Sequence, residues 1–280
     1  MQYTEYAASP RVAPFVHCLW TLEGSVHDLD ALAQPILPDG RPELIVHLGD
    51  PFDRISRNAI PERQPSVIFA GQLTGPIVLR PTGRIAVVGV RFQPDGAAAM
   101  LRVPQHALAG LTVDLGCLSV ALVREVNEIR DTATGVAGAA RALDDCLARH
   151  LDPHHLDGHV RMAVRAISRH RGLVSVDALA SRSGVTRRHL ERRFRDVVGV
   201  SPKRLARITR FQNALKMFEA IDSRTRGTDT AVTCGYADQA HFIREFRELA
   251  GCSPEAHLIR EAMLSGFFAE PISFHGRPGL

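Results

Sequence analysis

No apolar run in this 280-residue chain approaches the ~20 residues that a bilayer-spanning helix needs. The opening MQYTEYAASPRV has no basic patch followed by an apolar stretch. Both absences argue against membrane insertion and secretion. Cysteine is sparse: the five residues Cys18, Cys117, Cys146, Cys234 and Cys252 are odd in number, scattered, and contain no C-x-x-C pair. A disulfide scaffold is excluded, and a reducing cytoplasm is the compartment that fits. No G-x-S-x-G turn occurs, so a serine-nucleophile hydrolase of that type lacks its signature. With 45% hydrophobic and 23% charged residues, the chain has enough apolar material to bury real cores and is neither disordered nor fibrous. Its length favours two domains.

The formal net charge of +4 is unevenly distributed. Between Asp157 and Arg260 there are 20 Lys and Arg against 11 Asp and Glu, so the rest of the chain is net acidic. Basic charge gathered on one segment is what a polyanion partner requires, because neutralised phosphates release condensed counterions. On charge alone, a well-solvated basic surface accounts for the same pattern.

The texture changes along the chain. Short segments rich in β-branched and aromatic residues, from Phe15 to Leu22, Glu43 to Leu48, Ser66 to Ala70, Pro76 to Arg80 and Ile85 to Phe92, are separated by Gly, Pro and Asp. They predict a β-barrel or sandwich. After Gln93 come helix formers, notably Leu118 to Arg130 and Thr134 to Leu151, with apolar residues three and four apart. The segment LDPHHLDG, Leu151 to Gly158, interrupts the helical pattern and marks a boundary between units spanning 1–152 and 157–260, with a tail at 261–280. His150, His154, His155 and His159 crowd this boundary. Pro153 and Gly158 break any helix that would align them, so a structural or solvated linker is expected there rather than a metal site.

The basic third of the chain contains one pattern twice. Ala180, Gly184, Leu190, Phe194, Gly199, Ser201 and Pro202 are matched by Ala231, Gly235, Phe242, Phe246, Gly251, Ser253 and Pro254, offset by 51 residues up to the glycine and 52 beyond it. A helix ending in a small residue, a glycine able to take positive φ, and a second amphipathic helix compose a helix-turn-helix. With Leu190 and Phe194, or Phe242 and Phe246, facing a core, the opposite face is left free. That face carries Arg187, Arg188, Glu191, Arg192 and Arg195 in the first unit and Gln239, Ala240, Ile243, Arg244 and Arg247 in the second, with Arg188, Glu191, Arg192, Gln239, Ala240, Ile243 and Arg244 as the candidate base readers. Arg and Gln read guanine and adenine edges by paired hydrogen bonds, Glu accepts from cytosine, and Ala and Ile can touch a thymine methyl. Glu191 could equally orient a neighbouring arginine. Thr186, Arg187, Arg193, Ser201 and Lys203 are placed to hold the DNA backbone, Thr186 and Ser201 by opening helices; the Arg193 stem could instead pack on the domain.

GVTRRHLERRFRDVVGVSPKRLARITRFQNAL and GYADQAHFIREFRELAGCSPEAHL resemble the DNA-binding domain of the AraC/XylS family of transcriptional regulators, over roughly residues 159 to 260. The resemblance implies seven helices, in which a linker helix at about Pro202 to Glu219 joins two helix-turn-helix units. It also implies Ala214 as a packing residue and Arg210 in an internal ion pair. The implied function is sequence-specific regulation of transcription, as activator or repressor. The implied partners are double-stranded DNA, a small-molecule effector, RNA polymerase and a second copy of the chain.

ILPDGRPELIVHLGDPF and GVRFQPDGAAAMLRVP resemble, less sharply, the cupin-like sensor domain of one branch of that family. The expected fold class is therefore α+β, a cupin-like N-terminal barrel with following helices and an all-α C-terminal domain. His47 lacks a G-x-H-x-H companion set, so no metal, cofactor or enzymatic activity is expected; with Trp20 and Arg91 it is a candidate for lining an effector pocket. The helices near Leu118–Arg130 and Thr134–Leu151 offer apolar faces either to a second subunit or to their own barrel. The competing function is a DNA-binding enzyme, such as a cysteine-dependent alkyl-acceptor repair protein, which would need an activated thiol. In the second unit Gly227 and Thr230 replace Val176 and Leu179, and Ile221 to Thr230 is polar and long. That unit should accordingly be weaker and contribute less specificity.

Overall fold

The computed structural model describes residues 1–25, 33–56, 60–220 and 226–265. Among the described residues, ten strands form two antiparallel sheets. The larger contains β1 (Gln2–Tyr6), β2 (Val16–Ser25), β4 (Glu43–His47), β7 (Val67–Ala70), β9 (Arg84–Phe92) and β10 (Thr112–Asp114), in the order β1-β2-β9-β4-β7-β10. The smaller contains β3 (Gln34–Ile36), β5 (Asp53–Ile55), β6 (Glu62–Arg63) and β8 (Ile77–Arg80), in the order β3-β8-β5-β6. The α+β class stands, but among the described residues the strands form two open sheets rather than the expected barrel. β1 and β10 each pair with one neighbour only, so the ladder of the larger sheet ends in two edges. β1 was not visible in the sequence because QYTEY is polar and becomes a strand only by pairing with β2.

Strand alternation sends successive side chains to opposite faces. On the larger sheet, Leu19, Leu44, Val46, Phe69, Val88, Val90 and Phe92 face helices α1 (Val120–Thr132) and α2 (Gly135–His150) and share a core with Leu122, Val126, Ala139 and Leu143. The opposite face presents Cys18, Trp20, Leu22, Ile45 and Val87 toward the smaller sheet. The buried apolar residues of α1 and α2 thus pack against their own sheet, while Val120 of α1 stays 65% exposed. Ala97–Ala99, within the stretch expected to be helical after Gln93, is only a 3₁₀ turn.

Seven helices follow among the described residues: α3 (Gly158–Arg169), α4 (Val176–Arg182), α5 (Arg187–Val198), α6 (Pro202–Ala220), α7 (Arg226–Thr233), α8 (Gln239–Ala250) and α9 (Pro254–Ser265). α6, expected at Pro202 to Glu219, is the linker between two cores. One gathers α3, α4 and α5 around Leu179, Leu190 and Phe194, the other α7 and α8 around Phe211, Phe242 and Phe246. Of the polar stretch Ile221 to Thr230, residues 226–230 are helical and 221–225 lie outside the described residues. The tail expected from residue 261 begins as the last turn of α9, and 266–280 lie outside the described residues. No helix among the described residues is long and apolar enough to cross a membrane.

Candidate nucleic-acid interface

Local chemistry sets each recognition helix. Thr186 accepts a hydrogen bond from the His189 amide at 3.2 Å and caps α5, and Asp238 accepts from the His241 amide at 2.6 Å and caps α8. The turns before them pass through Gly184 at φ +66° and Gly235 at φ +68°, a conformation that costs other L-residues strain. α5 and α8 then bury Leu190 and Phe194, and Phe242 and Phe246, in their cores.

On the outer face of α5, Arg188, Arg192 and Arg195 are exposed and make no ion pair among the described residues. Arg187 is held by Glu191 at 3.0 Å and reaches Asp177 at 3.4 Å. Glu191 is therefore engaged with an arginine in the free protein. On α8, Gln239, Ala240 and Arg244 are exposed and Ile243 is half-buried against the core. Two shallow grooves share Arg187 and Lys203. One runs along α5 past Arg188, Arg192 and Ser201. The other lies between the two units and adds Arg207, His241 and Arg244. Free cations of α5, α6 and α8 consequently border one continuous surface.

Some expected contacts serve the scaffold instead. Arg193 donates to the buried carboxylate of Asp157 at 2.7 Å. Asp157 also accepts from the His159 and Val160 amides and caps α3, so Arg193 ties α5 to α3. Burial alone would raise the Asp157 pKa, but these amides and Arg193 hold it below the ordinary aspartate value. Ser201 accepts from the Arg204 amide at 3.2 Å and caps α6.

The sequence reading missed the bracket that holds the second unit to the linker. Glu245 of α8 is buried and receives Arg207 and Arg210 of α6, each at 2.8 Å; Glu248 receives Arg204 and Arg207. Arg210, expected in an internal ion pair, also lies 4.5 Å over the Tyr236 ring. Burial would push the Glu245 carboxyl up, but hydrogen bonds from the two arginines outweigh it and hold the pKa below the ordinary glutamate value. The available signal was spacing: arginines at 204 and 207 on one helix and glutamates at 245 and 248 on another, each three apart and so on one face.

The boundary histidines do not converge. His150 pairs with Glu125, His155 with Asp152, and His159 with the Ser183 carbonyl. Trp20, His47 and Arg91 do line a common cavity between the two sheets. Arg91 is bonded there to Glu43 at 2.7 Å and lies 3.4 Å from Glu5 and 3.6 Å from Asp39.

These features define a doubled helix-turn-helix with a cationic outer face. Residues 179–259 match the family described as a helix-turn-helix domain. Residues 4–114 match a domain of unknown function, DUF6597. The C-terminal part is therefore a helix-turn-helix domain. Among solved structures, the chain is similar to a probable AraC family transcriptional regulator from Rhodopseudomonas palustris CGA009. The two share 25% identity over 37% of this chain and 97% of that one, at a TM-score of 0.33. Similarity to the DNA-binding domain of AdpA in complex with a target DNA is 25% identity over 39% and 96%, TM-score 0.34. Unsaturated-fatty-acid-bound ToxT from Vibrio cholerae strain SCE256 aligns at 11% identity over 90% and 96%, TM-score 0.45. The comparison with curated proteins returned no match.

Proposed function

We propose that the protein reads a specific duplex sequence in the major groove with Arg188 and Arg192 as its principal base contacts. The observation that carries this is the pair of unpaired, exposed guanidinium groups one helical turn apart, opposite the buried Leu190 and Phe194. Gln239 and Arg244 extend the reading from the second unit, with Ala240 and Ile243 as apolar contacts. Glu191 orients Arg187, consistent with their 3.0 Å ion pair, rather than accepting from cytosine. Thr186, Arg187, Ser201 and Lys203 hold phosphates, whereas Arg193 is reassigned to bracing α5, because Asp157 already occupies it.

The N-terminal unit, 1–152, is proposed to sense a small molecule in the cavity lined by Trp20, His47 and Arg91. The DNA-binding unit is proposed to span 157–260. Work in the cytoplasm, without enzymatic activity, is supported by five free cysteines and by the chemistry of two buried ones. Burial pushes the Cys18 thiol up to about 12 and the Cys146 thiol up to about 11, the opposite of an activated nucleophile.

Selection of duplexes from a random pool by the full chain tests the assignment. An enriched motif that degenerates at one base pair in Arg192→Ala supports it. Failure to enrich any motif, or uniform weakening on every sequence, refutes the base-reading role.

A further inference from the structure

Between the two sheets lies a cavity of about 110 Å³, walled mainly by apolar side chains such as Leu22, Ile45, Phe52, Ile68 and Val87. A cavity of the order of 150 Å³ holds one benzene-sized ring. β4 places Glu43, Ile45 and His47 on the cavity side, so the space has a polar group near each end of an apolar stretch.

The two ends differ. At the Glu43 end Arg91 donates to Glu43, Trp20 Nε1 donates to the same carboxylate at 3.2 Å, and Asp39 and Glu5 complete the surround; Arg41 lines this end too, its buried Nε without a hydrogen-bond partner. Three carboxylates against the two arginines Arg41 and Arg91 leave this end net negative, which disfavours an incoming carboxylate, and an incoming ammonium would compete with both arginines. At the other end His47 is 1% exposed, and neither ring nitrogen has a hydrogen-bond partner; Gln64 lies beside it without a bond of good geometry. Burial lowers the His47 pKa to about 4, so the ring is uncharged near neutrality. A neutral imidazole has one donor and one acceptor, and a hydroxyl, which does both, suits either tautomer.

The segment 37–41 separates this cavity from the DNA-binding domain and touches both. Leu37, Asp39 and Arg41 line the cavity, and Leu37 also belongs to the apolar cluster of Ile208, Phe211, Ala214 and Phe218. Gln212 of α6 donates to the Pro38 carbonyl at 2.7 Å. Gly40, at φ +80°, sits so close that a Cβ would lie 2.8 Å from Leu205 of α6.

We propose that the cavity binds a small, uncharged, mainly apolar molecule bearing a hydroxyl group hydrogen-bonded by His47, and that segment 37–41 transmits its occupancy to α6. This rests on reading the N-terminal unit as a sensor. The chain's single tryptophan, Trp20, lines the cavity, so its emission reports occupancy directly.

The probes are phenol, toluene, benzoate and benzylammonium, titrated into the full chain at pH 7 with excitation at 295 nm. Phenol should give a saturable change and bind about tenfold more tightly than toluene, as a hydrogen bond to an uncharged group implies, with both charged probes weaker than toluene. His47→Leu should reduce phenol to the level of toluene and leave toluene unchanged; toluene binding also shows that this variant retains its cavity. Phenol should change affinity for the selected duplex at least threefold. Gln212→Ala should diminish that change while leaving the Trp20 titration intact.

The absence of a saturable response to phenol, or tighter binding of benzoate or benzylammonium, overturns the ligand class. Saturable phenol binding with unchanged DNA affinity overturns the transmission. A chain that binds phenol yet enriches no DNA motif sinks the base-reading proposal and leaves the cavity assignment standing.

Discussion

The two helix-turn-helix units are copies in sequence pattern, each capped and apolar at its recognition helix, and differ in how far ion pairs add to that hold. The first is secured by apolar packing and backbone caps: Val176 and Leu179 of α4 are buried, and Ser175 accepts from the Ala178 amide at 3.1 Å. In the second, Gly227 and Thr230 occupy the corresponding positions, and the Thr230 hydroxyl is buried without a hydrogen-bond partner. Its recognition helix is instead clamped to α6 by Glu245 and Glu248 against three arginines. A duplicated motif can keep its geometry while exchanging one means of attachment for another. The means chosen decides how each copy responds to mutation and to pH.

The largest expected effect follows from that clamp. Glu245→Gln should destabilise the second unit by about 3–5 kcal/mol, because removal of one partner leaves half-buried arginines uncompensated. Hydrogen exchange should show α7 and α8 losing protection while α5 keeps its own. Equal loss in both units would break the comparison.

Acidification should act on the same bond. The folded-state pKa values of Glu245 and Glu248 are depressed, so their contribution is complete above the ordinary glutamate value and is lost as pH falls through the depressed values. For Glu245 the arginine hydrogen bonds prevail over burial; for Glu248 the hydrogen bond from Arg207 is the largest influence. Asp157 ties the first unit in the same sense, but with one arginine. A pH series of amide exchange should therefore show α8 losing more protection than α5 as the pH falls, and a larger loss in α5 would contradict the assignment of the clamp.

Next in size is the division of specificity. Arg192→Ala should cost ~1–3 kcal/mol of discrimination at one base pair. Arg244→Ala should cost less, since Ala240 and Ile243 beside it have no hydrogen-bonding side chain. Competition binding with single-base variants of the selected duplex measures both, and equal losses would erase the asymmetry. The smallest effect sharpens the packing half of the comparison. Thr230→Val should stabilise the second unit by about 1 kcal/mol by removing the unpaired hydroxyl. Ser175→Ala should destabilise the first by about the same amount through loss of a cap. Thermal melts of the two variants should move in opposite directions.

Much of the DNA-binding unit was legible because its determinants are local. Gly184 and Gly235 mark turns by their backbone freedom, and the spacing of Leu190 with Phe194 and of Phe242 with Phe246 marks the buried faces within single helices. The N-terminal unit was legible only as a succession of strands. Whether β1 and β10 meet or stay as edges depends on pairing between distant segments, and no local pattern carries that information. The role of α1 and α2 was undecided for the same reason: an apolar helix face looks the same whether a sheet or a second subunit covers it.

Arginine side chains divide along this line most clearly. The sequence by itself determined that the chain carries a doubled helix-turn-helix on a basic segment, with arginines on the faces opposite two buried apolar pairs, because helical periodicity operates over a few residues. Only the tertiary structure decided which arginines are left without an ion pair among the described residues. Arg188 and Arg192 stay exposed, while Arg193 is taken by Asp157, Arg207 and Arg210 by Glu245, and Arg91 by Glu43. Each pairing joins residues far apart in the chain, and ion pairing acts over a few ångströms of space regardless of that separation.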